Sequence, residues 1–134
     1  MATTIKQLID KNKQAFDNRY FIESLHLSYV LLNKASRQII KDDLKPLNLE
    51  NRIKLPALIG HIKKEYLNNP TIKPKFPKKV VKDIELFIDL YKSINKEIKY
   101  QYPEKKITDT AQLGINCLVI LNTSLLKIKN NKAV

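Results

Sequence analysis

The fold is decided by the stretch KKVVKDIELFIDLYKSINKEIKYQY, residues 78–102. Its apolar side chains recur three and four residues apart, as from Ile84 to Phe87, which is the spacing of one face of an α-helix. Pro77 precedes the run at a position that favours a helix start, and a second proline follows the run. We therefore predict a long amphipathic helix over about residues 77–102.

The same helical periodicity recurs along the rest of the chain. The chain has 134 residues, 43% of them hydrophobic, with two glycines and no tryptophan. This length suits one domain with a hydrophobic core. We predict an all-α fold, a four- to five-helix up-and-down bundle that occupies residues 1–134 as a single domain. The predicted helices cover about residues 4–18, 20–42, 56–67, 77–102 and 109–129.

Local signals mark several helix ends. Thr4 and Gln7 have the spacing of a capping box at the start of the first helix, and Asp109 and Gln112 have it at the start of the last. The pair Asp17-Asn18 marks either a break between the first two helices or a bend in one continuous helix.

The chain also carries signals about its environment. Cys117 is the only cysteine, so no internal disulfide forms, and its apolar neighbours predict a buried, inert thiol in a reducing compartment. We see neither a membrane span nor a secretory signal, because charged or amide residues interrupt every long apolar run. We predict a cytoplasmic protein.

Positive charge is concentrated in the middle of the chain. The net charge is +12, and residues 51–106 carry fourteen basic and six acidic side chains. Clustered lysine is typical of a surface that binds phosphate groups. Only three of the 25 basic residues are arginine, which favours contacts to a nucleic-acid backbone over reading of bases. A solvated surface and an anionic membrane remain alternatives. The predicted nucleic-acid-binding residues are Lys73, Lys75, Lys78, Lys79, Lys82, Lys92, Lys96 and Lys99.

Catalytic and metal motifs are lacking. The two histidines, His26 and His61, have no partner at metal-ligand spacing, and the chain has no glycine-rich phosphate loop. We predict no catalytic residue, no metal and no cofactor, and favour a protein that is not an enzyme. Tyr91, Tyr100 and Tyr102 lie near the lysines and are candidates for stacking on bases, although the spacing of Tyr91 favours the core.

Two segments carry a pattern typical of a known family: FDNRYFIESLHLSYVLLNKASRQII at residues 16–40, and IDLYKSINKEIKY at residues 88–100, followed by a proline-containing turn and a final helix. Together they resemble the HEPN family of helical domains. Asn95 matches the asparagine of the family's ribonuclease motif. Ile94 stands in place of its arginine, and Lys99 or Tyr100 in place of its histidine, so the motif is degenerate. The resemblance therefore implies a binding or partner role, often as a homodimer or beside a nucleotidyltransferase.

Together these observations predict a non-catalytic, HEPN-like binding module whose basic face from Lys73 to Lys99 contacts the phosphate backbone of RNA or DNA. We expect a homodimer formed through the apolar last helix. An alternative is a protein–protein interaction or toxin–antitoxin protein with an acidic protein partner. A second alternative is a weak ribonuclease that uses an unusual set such as Arg19, His26 and Tyr100.

Overall fold

The computed structural model describes residues 4–43, 54–68 and 77–132, and in these ranges the chain is an all-α bundle without a strand. This confirms the predicted fold class. The predicted site residues Lys73 and Lys75 lie outside the described residues. The helices are α1 (Ile5–Asp17), α2 (Phe21–Asp43), α3 (Leu55–Asn68), α4 (Lys78–Glu97) and α5 (Glu104–Lys132).

A short link separates α1 from α2. The predicted capping box opens α1, since the Gln7 amide donates to Thr4 Oγ1 (3.1 Å) and the Thr4 amide donates to Gln7 Oε1 (2.9 Å). After α1 the chain turns at Arg19, whose φ of 68° lies in the left-handed region. The Tyr20 amide donates to the Ala15 carbonyl (2.8 Å), which closes the end of α1. The two segments are therefore separate helices rather than one bent helix.

The α4–α5 link differs from the prediction at both ends. α4 ends at Glu97, about one turn before the predicted end at residue 102, with Ile98 as its C-cap. α5 begins at Glu104, not at Asp109, because Pro103 starts the following helix and its carbonyl accepts from the Ile107 amide (2.9 Å). The predicted capping box at Asp109 is therefore wrong. That segment is already helical.

The centre of the bundle is the contact between α2 and α5, which is the most extensive in the molecule. Arg19 and Phe21 share a cleft with Lys105 at one end, and Ser28 faces Gly114 farther along. These two pairings show that α2 and α5 run in the same direction. α1 and α4 pack against this pair and run the opposite way, and α3 packs on α2 and α4.

Gly114 allows the close approach at this centre. A Cβ atom built on Gly114 would lie 2.7 Å from the Ser28 Cβ and 2.8 Å from Cε2 of Phe87. Ordinary carbon–carbon contacts are about 3.5–4.0 Å. The absence of a side chain at Gly114 therefore sets how closely α5 approaches α2 and α4.

The core confirms the predicted inward face of α4. Val80, Ile84, Phe87 and Ile88 are buried, whereas Ile98 is exposed because it follows the last turn of α4. The core also contains a polar cluster between α1 and α2. Asn12 Nδ2 donates to Ser28 Oγ (2.8 Å), and Ser24 Oγ donates to Asn12 Oδ1 (2.6 Å).

Candidate nucleic-acid interface

The N-terminus of α4 combines a positive helix end with three lysines. Lys78, Lys79 and Lys82 are exposed, and no acidic residue occupies the first turn. The N-cap residue Pro77 supplies no side-chain hydrogen bond. None of the three lysines forms an ion pair with another described residue. This helix end therefore presents cationic side chains and first-turn amides to an anion without internal compensation.

The exposed face of α4 is less uniformly basic than the sequence suggests. With about 100° of rotation per residue, Lys78, Lys82, Lys92 and Lys96 fall within about 80° of arc. Glu85 and Asp89 occupy the same face between the two lysine pairs. The face thus has two basic ends and an acidic middle, and α4 as a whole carries five lysines against four carboxylates.

The acidic middle of this face is partly engaged by α3. Lys63 Nζ lies 3.2 Å from Glu85 Oε1, and both side chains are largely exposed. An ion pair of this kind contributes about 1 kcal/mol or less. Lys63, Glu85, Asp89 and Lys92 border a cleft of about 230 Å³ between α3 and α4, so charge of both signs lines this cleft.

The segment that resembles the HEPN motif lies at the C-terminal end of α4. Ile94 is fully buried in the core, so the position aligned with the family's arginine does not face solvent. Asn95, Lys96 and Lys99 are exposed, and Tyr100 is 90% exposed. Lys96 and Lys99 therefore continue the basic end of the α4 face, and Tyr100 projects beyond it.

A polar cluster joins the end of α4 to the start of α5. Lys106 Nζ donates to Ser93 Oγ (2.6 Å) and forms an ion pair with Glu97. The hydrogen bond from Lys106, its charge and a hydrogen bond from Ser93 lower the pKa of Glu97 against a smaller opposing effect of burial. Lys106 is thus engaged within the protein, whereas the neighbouring Lys105 is exposed.

The α1–α2 and α4–α5 links meet at the same end of the bundle. Arg19, Glu104, Lys105 and Asp109 border a cleft of about 450 Å³ there. A second cleft of about 590 Å³ lies on the other side of the first turns of α5, bordered by Glu104, Lys105 and the buried Thr110. The Thr110 hydroxyl has no hydrogen-bond partner among the described residues. The start of α5 is therefore flanked by two open concave surfaces.

An aromatic cluster surrounds His26 away from this end. His26 Nδ1 and the Tyr91 hydroxyl are 2.6 Å apart, and Tyr29 stacks on Tyr91 with ring centroids 4.5 Å apart. Burial and the nearby Tyr91 raise the pKa of Tyr29. Tyr91 thus packs within the protein, as its spacing favoured.

The structure also bears on the Cys117 thiol and on a possible metal site. Cys117 is buried, and desolvation, with a smaller effect of Asp83, raises the pKa of its thiol to about 12. The predicted burial of this thiol is confirmed, and at neutral pH it is protonated and a poor nucleophile. The described part of the chain contains no group of His, Cys, Asp and Glu side chains suited to a metal ion.

Sequence reasoning missed the convergence of the two links and the engagement of Lys106. Tyr20 and Lys105 were not among the predicted site residues, although Tyr20 lies beside the predicted break and Lys105 lies beside a proline. Comparison of the chain with protein-family models, curated proteins and solved structures gives no match. Among the helices that the structure describes, none has the length and apolar character needed to cross a membrane.

Proposed function

We propose that this bundle is a cytoplasmic, non-catalytic binding module, HEPN-like in its resemblance, that contacts the phosphate backbone of RNA or DNA through the exposed lysines of α4 and the turn after it. The observation that carries the proposal is the start of α4. Three lysines stand there on a positive helix end, with no carboxylate in the first turn and no side-chain cap.

The placement of these lysines disfavours a purely structural role. A cation in the first turn of a helix is unfavourable by about 0.3–1 kcal/mol at low salt, because it adds to the positive end of the helix dipole. Lys78, Lys79 and Lys82 all occupy this region, and no described acidic side chain pairs with them. A bound phosphate would reverse the sign of this interaction.

Binding of labelled oligonucleotides, measured by fluorescence anisotropy at about 50 and 200 mM salt, tests the proposal. The variant K78A/K79A/K82A is expected to bind more weakly and to show a smaller salt dependence, because each lost phosphate contact lowers the slope by about one. The same variant is expected to unfold at a higher urea concentration than the wild type.

A matched control removes the same charge from another face. The variant K6A/K11A/K13A alters three exposed lysines of α1. It is expected to retain wild-type affinity apart from a small general effect of net charge. Equal weakening by both triple variants, or no binding by the wild type at low salt, would contradict the proposal.

We also propose that the protein is a homodimer whose two subunits contact each other through α5. The stretch from Thr110 to Leu126 contains no charged residue. Val119 is exposed on the same side of α5 as Gln112 and Asn116, whose side chains bond to each other (2.9 Å). An uncharged exposed face is typical of a protein interface.

Light scattering after size exclusion tests the dimer. The measured mass of the wild type is expected to be twice the chain mass of 15.6 kDa, and that of Val119→Lys is expected to equal the chain mass. A monomeric wild type would remove this candidate without affecting the nucleic-acid proposal. Co-purification of an acidic protein in fixed proportion would favour a toxin–antitoxin or other protein-partner role instead.

A further inference from the structure

Among the tyrosines whose side chains the structure describes, the exposed ones lie at one end of the bundle. Tyr20 (58% exposed), Tyr100 (90%) and Tyr102 (57%) are in the two links that meet there. The other tyrosines whose side chains the structure describes, Tyr29 and Tyr91, stack on each other within the protein. Large aromatic side chains are normally buried because their burial is favourable, so three exposed rings in one place indicate a contact surface.

The geometry of the two links places these rings together. Tyr20 is next to Arg19, and Arg19 borders the same cleft as Glu104 and Lys105. Tyr102 is two residues before Glu104, whose amide donates to the Tyr102 carbonyl (3.0 Å). The two links therefore meet at this cleft, and the three exposed tyrosines lie in these links at the same end of the bundle.

Basic side chains lie among these rings. Arg19, Lys99 and Lys105 are exposed next to Tyr20, Tyr100 and the cleft. Lys92, Lys96 and Lys99 lead to this end along α4, at spacings of three and four residues. Alternating aromatic and cationic side chains are the arrangement that binds single-stranded nucleic acid, because unpaired bases stack on the rings and phosphates contact the cations.

The charges of the side chains at this end of the bundle nearly cancel. This end carries five basic and four acidic side chains, and the Lys106–Glu97 pair is internal. A net charge near +1 gives little general attraction for a polyanion, so stacking has to provide much of the binding. The charged residues counted are Asp17, Arg19, Lys96, Glu97, Lys99, Glu104, Lys105, Lys106 and Asp109.

We propose that this end of the bundle binds single-stranded nucleic acid by stacking unpaired bases on Tyr20, Tyr100 and Tyr102, while Arg19, Lys99 and Lys105 contact the adjoining phosphates. The inference rests on the proposed function, because it specifies the kind of nucleic acid whose phosphates the lysines of α4 contact. It adds that single strands bind more tightly than duplexes of the same length, because bases paired in a duplex are not free to stack on side chains.

The test compares a twelve-nucleotide single strand of RNA, its DNA counterpart and a twelve-base-pair duplex by anisotropy. The variant Y100A/Y102A is expected to bind both single strands roughly tenfold or more weakly and to bind the duplex unchanged. Y100F/Y102F retains the rings and is expected to bind like the wild type. Leu86→Ala, which removes an exposed apolar side chain from α4, serves as a further control.

Salt dependence separates stacking from charge. The ratio of Kd between Y100A/Y102A and the wild type is expected to stay the same at 50 and 200 mM salt, whereas the ratio for K92A/K96A is expected to fall as salt rises. A tyrosine effect that disappears at the higher salt would overturn stacking. A twelve-unit abasic strand is expected to bind Y100A/Y102A and the wild type equally.

The variant Arg19→Gly separates an effect on binding from a loss of stability. Glycine adopts positive φ readily, so this variant is expected to unfold at an equal or higher urea concentration and yet to bind the single strand more weakly. Wild-type affinity in both Y100A/Y102A and Arg19→Gly would overturn this inference and leave the phosphate contacts of α4 standing. Failure of the wild type to bind any oligonucleotide at low salt would overturn both. A change of oligomeric state in Y100A/Y102A would identify a protein contact and overturn the inference.

Discussion

Replacing Gly114 with alanine is expected to destabilise the protein, although alanine favours a helix more than glycine does. In the interior of an exposed helix this substitution stabilises by about 1 kcal/mol. Gly114 is instead buried within α5, where the new methyl group would lie 2.7 Å from Ser28 Cβ, 2.8 Å from Phe87 Cε2 and 2.9 Å from Ser28 Oγ. Three contacts are therefore nearly 1 Å shorter than an ordinary van der Waals contact.

The surrounding atoms have little freedom to accommodate this methyl group. The Ser28 Cβ is attached directly to the backbone of α2, so rotation of a side chain does not move it away. Phe87 is fully buried, and Ser28 Oγ accepts the hydrogen bond from Asn12. α5 therefore has to move away from α2. Overpacking of a core costs about 1–3 kcal/mol, occasionally more, and a disturbed buried hydrogen bond adds about 1 kcal/mol. With the gain in helix propensity of about 1 kcal/mol subtracted, we expect a net loss of about 1–3 kcal/mol.

Urea unfolding followed by circular dichroism at 222 nm measures this loss, and the second glycine of the chain provides the control. Gly60 lies exposed in α3, and a Cβ atom there would have no neighbour within 4 Å. Gly60→Ala is expected to stabilise the protein by about 0.5–1 kcal/mol. The double variant G114A/S28G restores the space and is expected to lose less stability than the sum of the two single variants. The reasoning is refuted if Gly114→Ala is as stable as the wild type.

Three further outcomes follow from buried or paired groups. Asn12→Ala leaves two buried serine hydroxyls without their partner and is expected to lower the free energy of unfolding in urea by about 1–3 kcal/mol. The control Asn116→Ala, at an exposed position, is expected to change it by less than about 0.5 kcal/mol. Similar losses in the two variants would contradict a structural role for Asn12. The lowered pKa of Glu97 means that its ion pair stabilises the folded state fully above the ordinary carboxyl value of about 4.5, and that this stability is lost as pH falls through the lowered pKa. The urea midpoints of the wild type and Glu97→Gln should therefore differ at pH 7 and converge as the pH falls below the lowered pKa of Glu97, and a difference that stays constant through acid pH would argue against the pairing. Native Cys117 is expected to resist a thiol reagent at pH 8 and to react once urea unfolds the chain, whereas rapid labelling of the native protein would show that the thiol is accessible.

The helices and their buried faces were largely predictable from the sequence because these depend on local periodicity. The capping-box spacing of Thr4 and Gln7 indicates where α1 starts, and the apolar spacing of α4 identifies the face that packs in the core. The predicted start of α5 was wrong because a proline can either end one helix or precede the start of the next. Pro103 lies directly before α5, and this earlier helix start brings Lys106 to Glu97.

The candidate site was less predictable because it depends on which ends of helices meet. Lys78, Lys79 and Lys82 followed from sequence, since they lie within the first five residues of α4. The acidic interruption by Glu85 and Asp89 was visible in the sequence only as a partial offset. The proximity of Tyr20 and Tyr102 required the three-dimensional arrangement, because 82 residues separate them in the chain.

The parallel run of α2 and α5 has a consequence for how the chain folds. Gly114 follows Ser28 by 86 residues, so the contact at the centre of the bundle becomes available only after those residues have been synthesised. At about 5–20 residues per second, the face of α2 that α5 covers waits roughly 4–17 s for its partner. In the folded state the polar cluster of Asn12, Ser24 and Ser28 joins α1 to α2 without any group from α5. We therefore expect the α1–α2 hairpin to form before α5 packs against it.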